Sequence, residues 1–231
     1  AQMLASLSGL SLSNGDYTLV GGSGSVTVTP LAVTLSGSPI YNGTTTVSAG
    51  DLTVANLASG DTQSGVGLSG SATMAGRHAG AQTLASLSGL SLSNGDYTLV
   101  GGSGAVTVQP LAVTLSGTPV YNGTTSVAAA DLTVSNLASG DTPSGLGLTG
   151  SATMAGRHVG AQSLTSLSGL SIANGDYTLA GASGSVTVQA LAVTLTGSRV
   201  YDGTTSVAAA DLTVSNLGSG DTLTSVGLSG A

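Results

Sequence analysis

Cysteine, lysine, glutamate, phenylalanine and tryptophan are all missing from this chain of 231 residues. Each absence removes a class of explanation. Without Cys there are no disulfide staples, and the redox compartment is left open. Without Lys there are no Lys–Asn isopeptide crosslinks, and a trypsin-like protease finds only Arg77, Arg157 and Arg199. All ten acidic residues are Asp, and charged residues make up 6% of the chain, where a soluble domain has about a quarter. The net charge of −7 disfavours nucleic acid, whose phosphates need a basic patch. No apolar run approaches the ~18 residues of a membrane span. No basic amphipathic helix suits an anionic bilayer surface either. Neither nucleic acid nor membrane insertion of this segment is expected.

Scarce charge does not make the chain a candidate for disorder. Disordered segments are poor in apolar residues, whereas 40% of this sequence is hydrophobic and its mean hydropathy is +0.40. That apolar content is dispersed among Ser, Thr and Gly. A surface nearly free of Lys and Glu fits an extracellular or cell-surface location. Both ends fall inside a repeat, so any targeting signal is expected outside this window.

What the sequence does contain is repetition. Tyr41-Asn42-Gly43-Thr44-Thr45 returns as Tyr121-Asn122-Gly123-Thr124-Thr125 and as Tyr201-Asp202-Gly203-Thr204-Thr205, 80 residues apart each time. Residues 1–80 and 81–160 are identical at 67 of 80 positions, and the exchanges are mostly small, such as Ile40 to Val120. Copies this similar share one fold and one job.

Within a period the pattern is that of short strands. Leu4 to Leu12 reads as a strand interrupted by Gly9 and ending at an Asn14-Gly15 hairpin turn. Tyr17 to Val20 alternates, a Gly-rich tip (Gly21-Gly22-Ser23-Gly24) follows, and Val26 to Thr29 resumes. After Pro30, Leu31, Val33 and Leu35 share one face and Ala32 and Thr34 the other, as a half-buried strand requires. The marker is a tight turn. Asp51 to Leu57 is read as strand over short helix, because Thr, Val, Ser and Asn are weak helix formers. Val66, Leu68, Ala72 and Met74 fall on even positions of one long strand, with Gly70 offering room for a bulge.

Six or seven strands with turn signals every ~8–12 residues predict an all-β fold. The expected architecture is a tandem array of small antiparallel β-sandwich (Ig-like) modules. A β-grasp-like module or a continuous β-solenoid are the alternatives. Pro30 and Pro110 mark the joints, since Pro favours strand starts. The expected boundaries are then 1–30, the C-terminal part of a preceding repeat; 31–110 and 111–190, two repeat modules; and 191–231, the N-terminal part of a following one. A single residue separates Val106–Gln109 from Leu111–Thr114, so a semi-rigid rod without flexible linkers is expected.

No catalytic, cofactor or metal site is expected. Arg77-His78 and Arg157-His158 recur, but a lone His lacks co-ligands or a nucleophile. They read as a turn whose Arg reaches a nearby Asp or carbonyl. Asp16, Asp51 and Asp61 and their copies stand singly beside turns, unlike clustered calcium loops, and read as caps of their own turn backbone. Tyr17 and Tyr41 and their copies read as core fillers with their hydroxyls bonded back; stacking on a sugar is the other reading. Asn42 and Asn122 fit the N-x-T glycosylation pattern, but Asp202 keeps the turn without the acceptor. The Gly-rich stretch lacks the Lys and helix start of a phosphate-binding loop.

The signature turn (Tyr41, Asn42, Gly43, Thr44; Tyr121, Asn122, Gly123, Thr124; Tyr201, Asp202, Gly203, Thr204) carries a resemblance. So do Gly60-Asp61-Thr62 and the strand from Asp16 to Leu19. Together they resemble the YDG-type and MBG-type repeats of large bacterial surface and secreted adhesins of the filamentous-haemagglutinin kind. Only Asp202 matches the Asp of that pattern. The resemblance implies stalk modules of exported adhesins, often associated with biofilm matrix. The expected function is thus a non-enzymatic stalk or fibre segment of an extracellular bacterial adhesin, without cofactors, associating with itself laterally or end to end. The alternative is a repeated weak glycan- or matrix-binding module acting by avidity.

Overall fold

The computed structural model describes residues 1–230. It divides into two compact units, one of residues 1–39, 45–76 and 81–107 and the other of residues 40–44, 77–80 and 108–231. In the first unit, residues 1–30 form only β1 (Gln2–Met3) and β2 (Ser25–Val26), paired antiparallel. Then follow β3 (Leu31–Gly37), β4 (Thr46–Ser48), β5 (Leu52–Val54), the single-turn helix α1 (Gln63–Val66), β6 (Ser69–Met74), β7 (Gly80–Ser86), β8 (Leu90–Ser91) and β9 (Tyr97–Val108). The sheet runs β4-β6-β7-β9-β3-β5, with β8 beside β6.

The alternating residues drive this arrangement. In β3, Val33 and Leu35 are buried while Thr34 is exposed. They share the core with Val47, Leu52, Val54, Val66, Ala72, Met74, Leu90, Tyr97 and Val106. Burying a Val or Leu side chain contributes about 1.5–3 kcal/mol, which makes this cluster the main favourable term holding the module together.

The second unit repeats the plan with β10 (Leu111–Gly117), β11 (Ser126–Ala128), β12 (Leu132–Val134), α2 (Pro143–Leu146), β13 (Leu148–Met154), β14 (Gly160–Ser166), β15 (Leu170–Ile172) and β16 (Tyr177–Val188). The order is β11-β13-β14-β16-β10-β12, with β15 on β13. β14 changes partner midway: Gly160 to Ser163 pair with β16, whereas Leu164 and Ser166 pair with β13. Its two ends thereby belong to different parts of a curled sheet. The unit ends in the two-stranded sheet of β17 (Leu195–Gly197) and β18 (Leu212–Val214), followed by α3 (Leu223–Val226). None of the helices of the described residues is long and apolar enough to cross a membrane.

The all-β expectation holds. The sheets are mixed rather than wholly antiparallel, because β3 pairs parallel with β9 and β10 with β16. These are the first and last strands of a copy. The rest of the module serves as the long connection that a parallel pair needs. The Gly-rich stretch is not a tip in the complete copies. Gly101 to Gly104 lie inside the twelve-residue β9, at a bulge where Gly101 has φ +74° and the register on β3 shifts. Gly104 lets the two backbones close up: a Cβ there would stand 2.7 Å from the Leu35 carbonyl oxygen and 2.8 Å from Leu84 Cδ1.

Two further expectations change. Val66 does not belong to a strand; α1 starts where the Thr62 hydroxyl accepts from Gly65 N–H (3.2 Å) and stops at Gly67 in the left-handed region. A Thr N-cap and a Gly C-cap are helix signals that the even spacing of Val66 and Leu68 conceals. Asn94-Gly95, the copy of Asn14-Gly15, does form a turn, with Asn94 Oδ1 accepting from Asp96 N–H (2.9 Å). It makes no hairpin ladder, since β8 pairs with β6. Within 51–57, Leu52–Val54 form β5, directly after a 3₁₀ turn at Ala49–Asp51.

The close approach at Gly104 gives a paired prediction. Gly104→Ala lowers stability by about 1–3 kcal/mol, as overpacking does. Gly95→Ala, which meets nothing within 4 Å, stays within about 0.5 kcal/mol of the parent. Thermal and denaturant unfolding followed by circular dichroism distinguishes them.

Candidate functional site: a carboxylate held by two tyrosines and an arginine

The signature turn is built by its own side chains. Asn42 Oδ1 accepts from Thr44 N–H (3.0 Å) and from the Thr44 hydroxyl (2.9 Å), while Gly43 adopts φ +79°. Asn122 and Thr124 repeat these bonds at 2.9 Å each, and Asp202 and Thr204 at 3.0 and 2.9 Å. An Asp carboxylate accepts as an Asn carbonyl does, so the exchange leaves the turn intact.

Residues 40–44 and 77–80 come from the first sequence copy but belong to the second compact unit. Tyr41 N–H donates to the Gln109 carbonyl (2.8 Å), and its side chain is buried. The Tyr41 hydroxyl donates to Asp141 Oδ2 (2.8 Å), and the Tyr177 hydroxyl donates to the same oxygen (2.7 Å). The two rings meet edge to face, 5.6 Å apart. Arg77 donates to Asp141 Oδ1 (3.0 Å) and to the Gly43 carbonyl (3.3 Å). Tyr177 also accepts from Ala138 N–H (2.9 Å). Beside this group, Asp176 Oδ2 pairs with His78 Nδ1 (2.7 Å), and Asp176 Oδ1 accepts from Ala79 N–H (2.7 Å). Gly43 fits against Ser139, where a Cβ would meet the carbonyl oxygen at 2.3 Å.

The electrostatics follow from this packing. Burial pushes the Asp141 carboxyl up, but hydrogen bonds from Tyr177 and Tyr41 and the charge of Arg77 outweigh it and hold it below the usual carboxylate range. Burial and the bond to Asp141 lift Tyr41 far above the usual tyrosine range. Tyr177 moves the same way, through burial first, although the Ala138 N–H opposes it. These hydroxyls stay protonated and serve as donors. The site can fasten chain segments.

The arrangement occurs again 80 residues on, within the same unit. Tyr121 donates to Asp221 Oδ2 (2.7 Å) and Arg157 to the Gly123 carbonyl (3.1 Å), with Arg157 Nη2 3.4 Å from Asp221 Oδ1. Ser219 N–H donates to the Asn122 carbonyl (2.8 Å). The first unit holds half of the set: the Tyr97 hydroxyl donates to Asp61 Oδ2 (2.6 Å) and accepts from Ala58 N–H (2.8 Å). At the third marker Tyr201 is exposed and Arg199 pairs with its neighbour Asp202 at 2.8 Å.

Asp61, Asp141 and Asp221 therefore do not cap their own turns as expected. Each accepts from tyrosine; Asp141 accepts from Arg77 as well, and Asp221 is ion-paired with Arg157. Arg77 reaches both an Asp and a carbonyl. Tyr41, Tyr97 and Tyr177 fill the core with their hydroxyls bonded. Sequence reasoning missed which Asp meets which Tyr. The one available signal was that Gly-Asp-Thr and Gly-Asp-Tyr recur together in every period. Among the described residues, no three His, Cys, Asp or Glu side chains gather into a group able to hold a metal ion.

Residues 104–186 match the YDG domain family. That span contains Tyr121, Asp141, Arg157 and Tyr177. No curated protein and no solved structure matches the chain.

Asp141→Asn leaves two tyrosine hydroxyls and a guanidinium short of an anionic acceptor and should cost about 1–3 kcal/mol at neutral pH. Because the folded carboxyl titrates below its unfolded value, its contribution is present above pH ~4 and is lost as pH falls through the folded value. The stability gap between parent and variant, measured by denaturant titration across pH 2–7, should shrink towards the acid end. A constant gap contradicts this account of Asp141.

Proposed function

We propose that this chain is a non-enzymatic stalk or fibre segment of an extracellular bacterial adhesin. In this reading, tandem 80-residue β-sandwich (Ig-like) modules provide length, with boundaries at 31–110 and 111–190 flanked by partial copies. Its partners are other copies of itself, or glycans of a matrix or host surface. One observation carries the reading: Tyr-Arg-Asp fastening occurs twice, at Asp141 and at Asp221, with equivalent residues from successive periods. An array that repeats its joint as well as its module extends without new chemistry.

Three features add support. The YDG match lies across one full period. Tyr41 is buried edge to face against Tyr177, which takes from the glycan-binding alternative the aromatic platform it needs at that position. The tyrosine hydroxyls that would serve as nucleophiles are instead donors to carboxylates.

The test uses recombinant arrays of two, four and six periods. Small-angle scattering should give a maximum dimension that rises linearly with period number, and Arg→Ala at every Arg77-type position should make the longer arrays more compact and variable. A dimension that grows only as the square root of period number, as for a flexible chain, refutes a stiff stalk.

A further inference from the structure

The first two copies differ at one residue in a way that changes a sheet edge. β5 and β12 are the outermost strands beside β3 and β10. Along such a strand, successive residues turn their backbone groups alternately inward and outward. Ser135 N–H donates inward to the Thr114 carbonyl (2.9 Å), so the Val134 N–H and the Leu132 carbonyl face out. In copy one a side chain takes the outward pair. Gln63, which opens α1, accepts from Val54 N–H through Oε1 (2.8 Å) and donates through Nε2 to the Leu52 carbonyl (3.4 Å).

In copy two the residue that opens the helix is Pro143. The helix itself starts alike: the Thr142 hydroxyl accepts from Gly145 N–H at 3.3 Å, as the Thr62 hydroxyl does from Gly65 N–H at 3.2 Å. Proline suits a first helical position, but its ring offers no donor and no acceptor to the strand. Among the described residues no side chain takes the place of Gln63 at the Val134 N–H and the Leu132 carbonyl. The opposite edge of the same sheet keeps its cover, since the Thr124 hydroxyl accepts from Ser126 N–H in β11 (3.2 Å). Between β12 and α2 lies a cavity of about 280 Å³, with Ala129, Leu132, Val134, Pro143 and Leu146 in its lining and no charged residue. All of it falls within residues 129–148.

We infer that this cavity is a binding site for a primary carboxamide, the side chain of a glutamine on a partner polypeptide. Gln63 shows the fit: a carboxamide carries an acceptor and a donor side by side, matched to an N–H and a carbonyl two residues apart on a strand edge. The volume lies below the roughly 300–1,000 Å³ of pockets for drug-sized ligands, which suits a single side chain. A charged group entering this uncharged lining loses water without gaining a counter-ion, so glutamate and lysine are disfavoured. The assignment is independent of the stalk reading.

The test is an NMR titration of the full chain, isotope-labelled at valine nitrogen, with acetyl-Gly-Gln-Gly methylamide. The Val134 amide signal should shift saturably in the millimolar range, and that of Val54 should not. Pro143→Gln restores a resident amide and should abolish the shift. Gln63→Pro should add the same response at Val54. Each variant puts into one copy the residue that the other copy already folds with, so Tm should stay close to the parent. The matched peptide with Glu for Gln has no donor for the Leu132 carbonyl and should bind about tenfold more weakly. A Val134 signal that does not move, that moves as far in Pro143→Gln, or that answers the Glu peptide equally overturns the proposal. So does a Gln63→Pro chain without a response at Val54. Acetamide that binds as tightly as the peptide also overturns it, because the ligand is then a free amide and not a polypeptide side chain.

Discussion

The Asp141 carboxylate, largely withdrawn from water, is the constraint around which the second unit is organised. A carboxylate leaves solvent only if its oxygens are satisfied by donors or opposite charge. In a chain without lysine and with three arginines, those donors are two tyrosine hydroxyls and one guanidinium. Charge-assisted bonds of this kind are stronger than neutral ones, and here two rings and an arginine stem converge on one anchor. The remaining local features follow from bringing them together. The Asn-Gly-Thr turn aims Tyr41, Gly43 removes the Cβ that would strike Ser139, and the Gly43 carbonyl takes the second arm of Arg77.

The same constraint gives the repeat its directional character. Every full period carries a tyrosine and an arginine that reach forward and an aspartate and a second tyrosine that receive them. Because the two halves differ, the fastening joins unlike surfaces. The Ser-, Thr- and Gly-rich chain carries few charges, 6% of its residues.

Inside a module the governing contact is the approach of β9 to β3 and of β16 to β10. Two strands that begin and end a copy pair in parallel, and glycine at the crossing allows side chains from other strands to fill the space. The value of that pairing is visible where it is absent. The stretch Leu-Ala-Val-Thr-Leu is a full strand with buried valine in two copies. In the third, without its neighbour, it is a short strand with valine exposed. Strand formation here depends more on the partner than on propensity.

The sequence by itself determined the 80-residue period, the all-β class, the turn at Asn42-Gly43-Thr44 and the burial of Val33 and Leu35. Each rests on local pattern: spacing of two, turn residues, or plain repetition. Tertiary structure alone decided that Asp141 faces Tyr177, Arg77 and Tyr41, which lie 36, 64 and 100 residues away. It also decided that Gly101 to Gly104 bend a strand instead of ending one, and that the first and last strands of a copy run side by side. No period of two or of 3.6 encodes a partner at such distances. The buried carboxylate selects it, by requiring donors that only the folded chain brings within 3 Å.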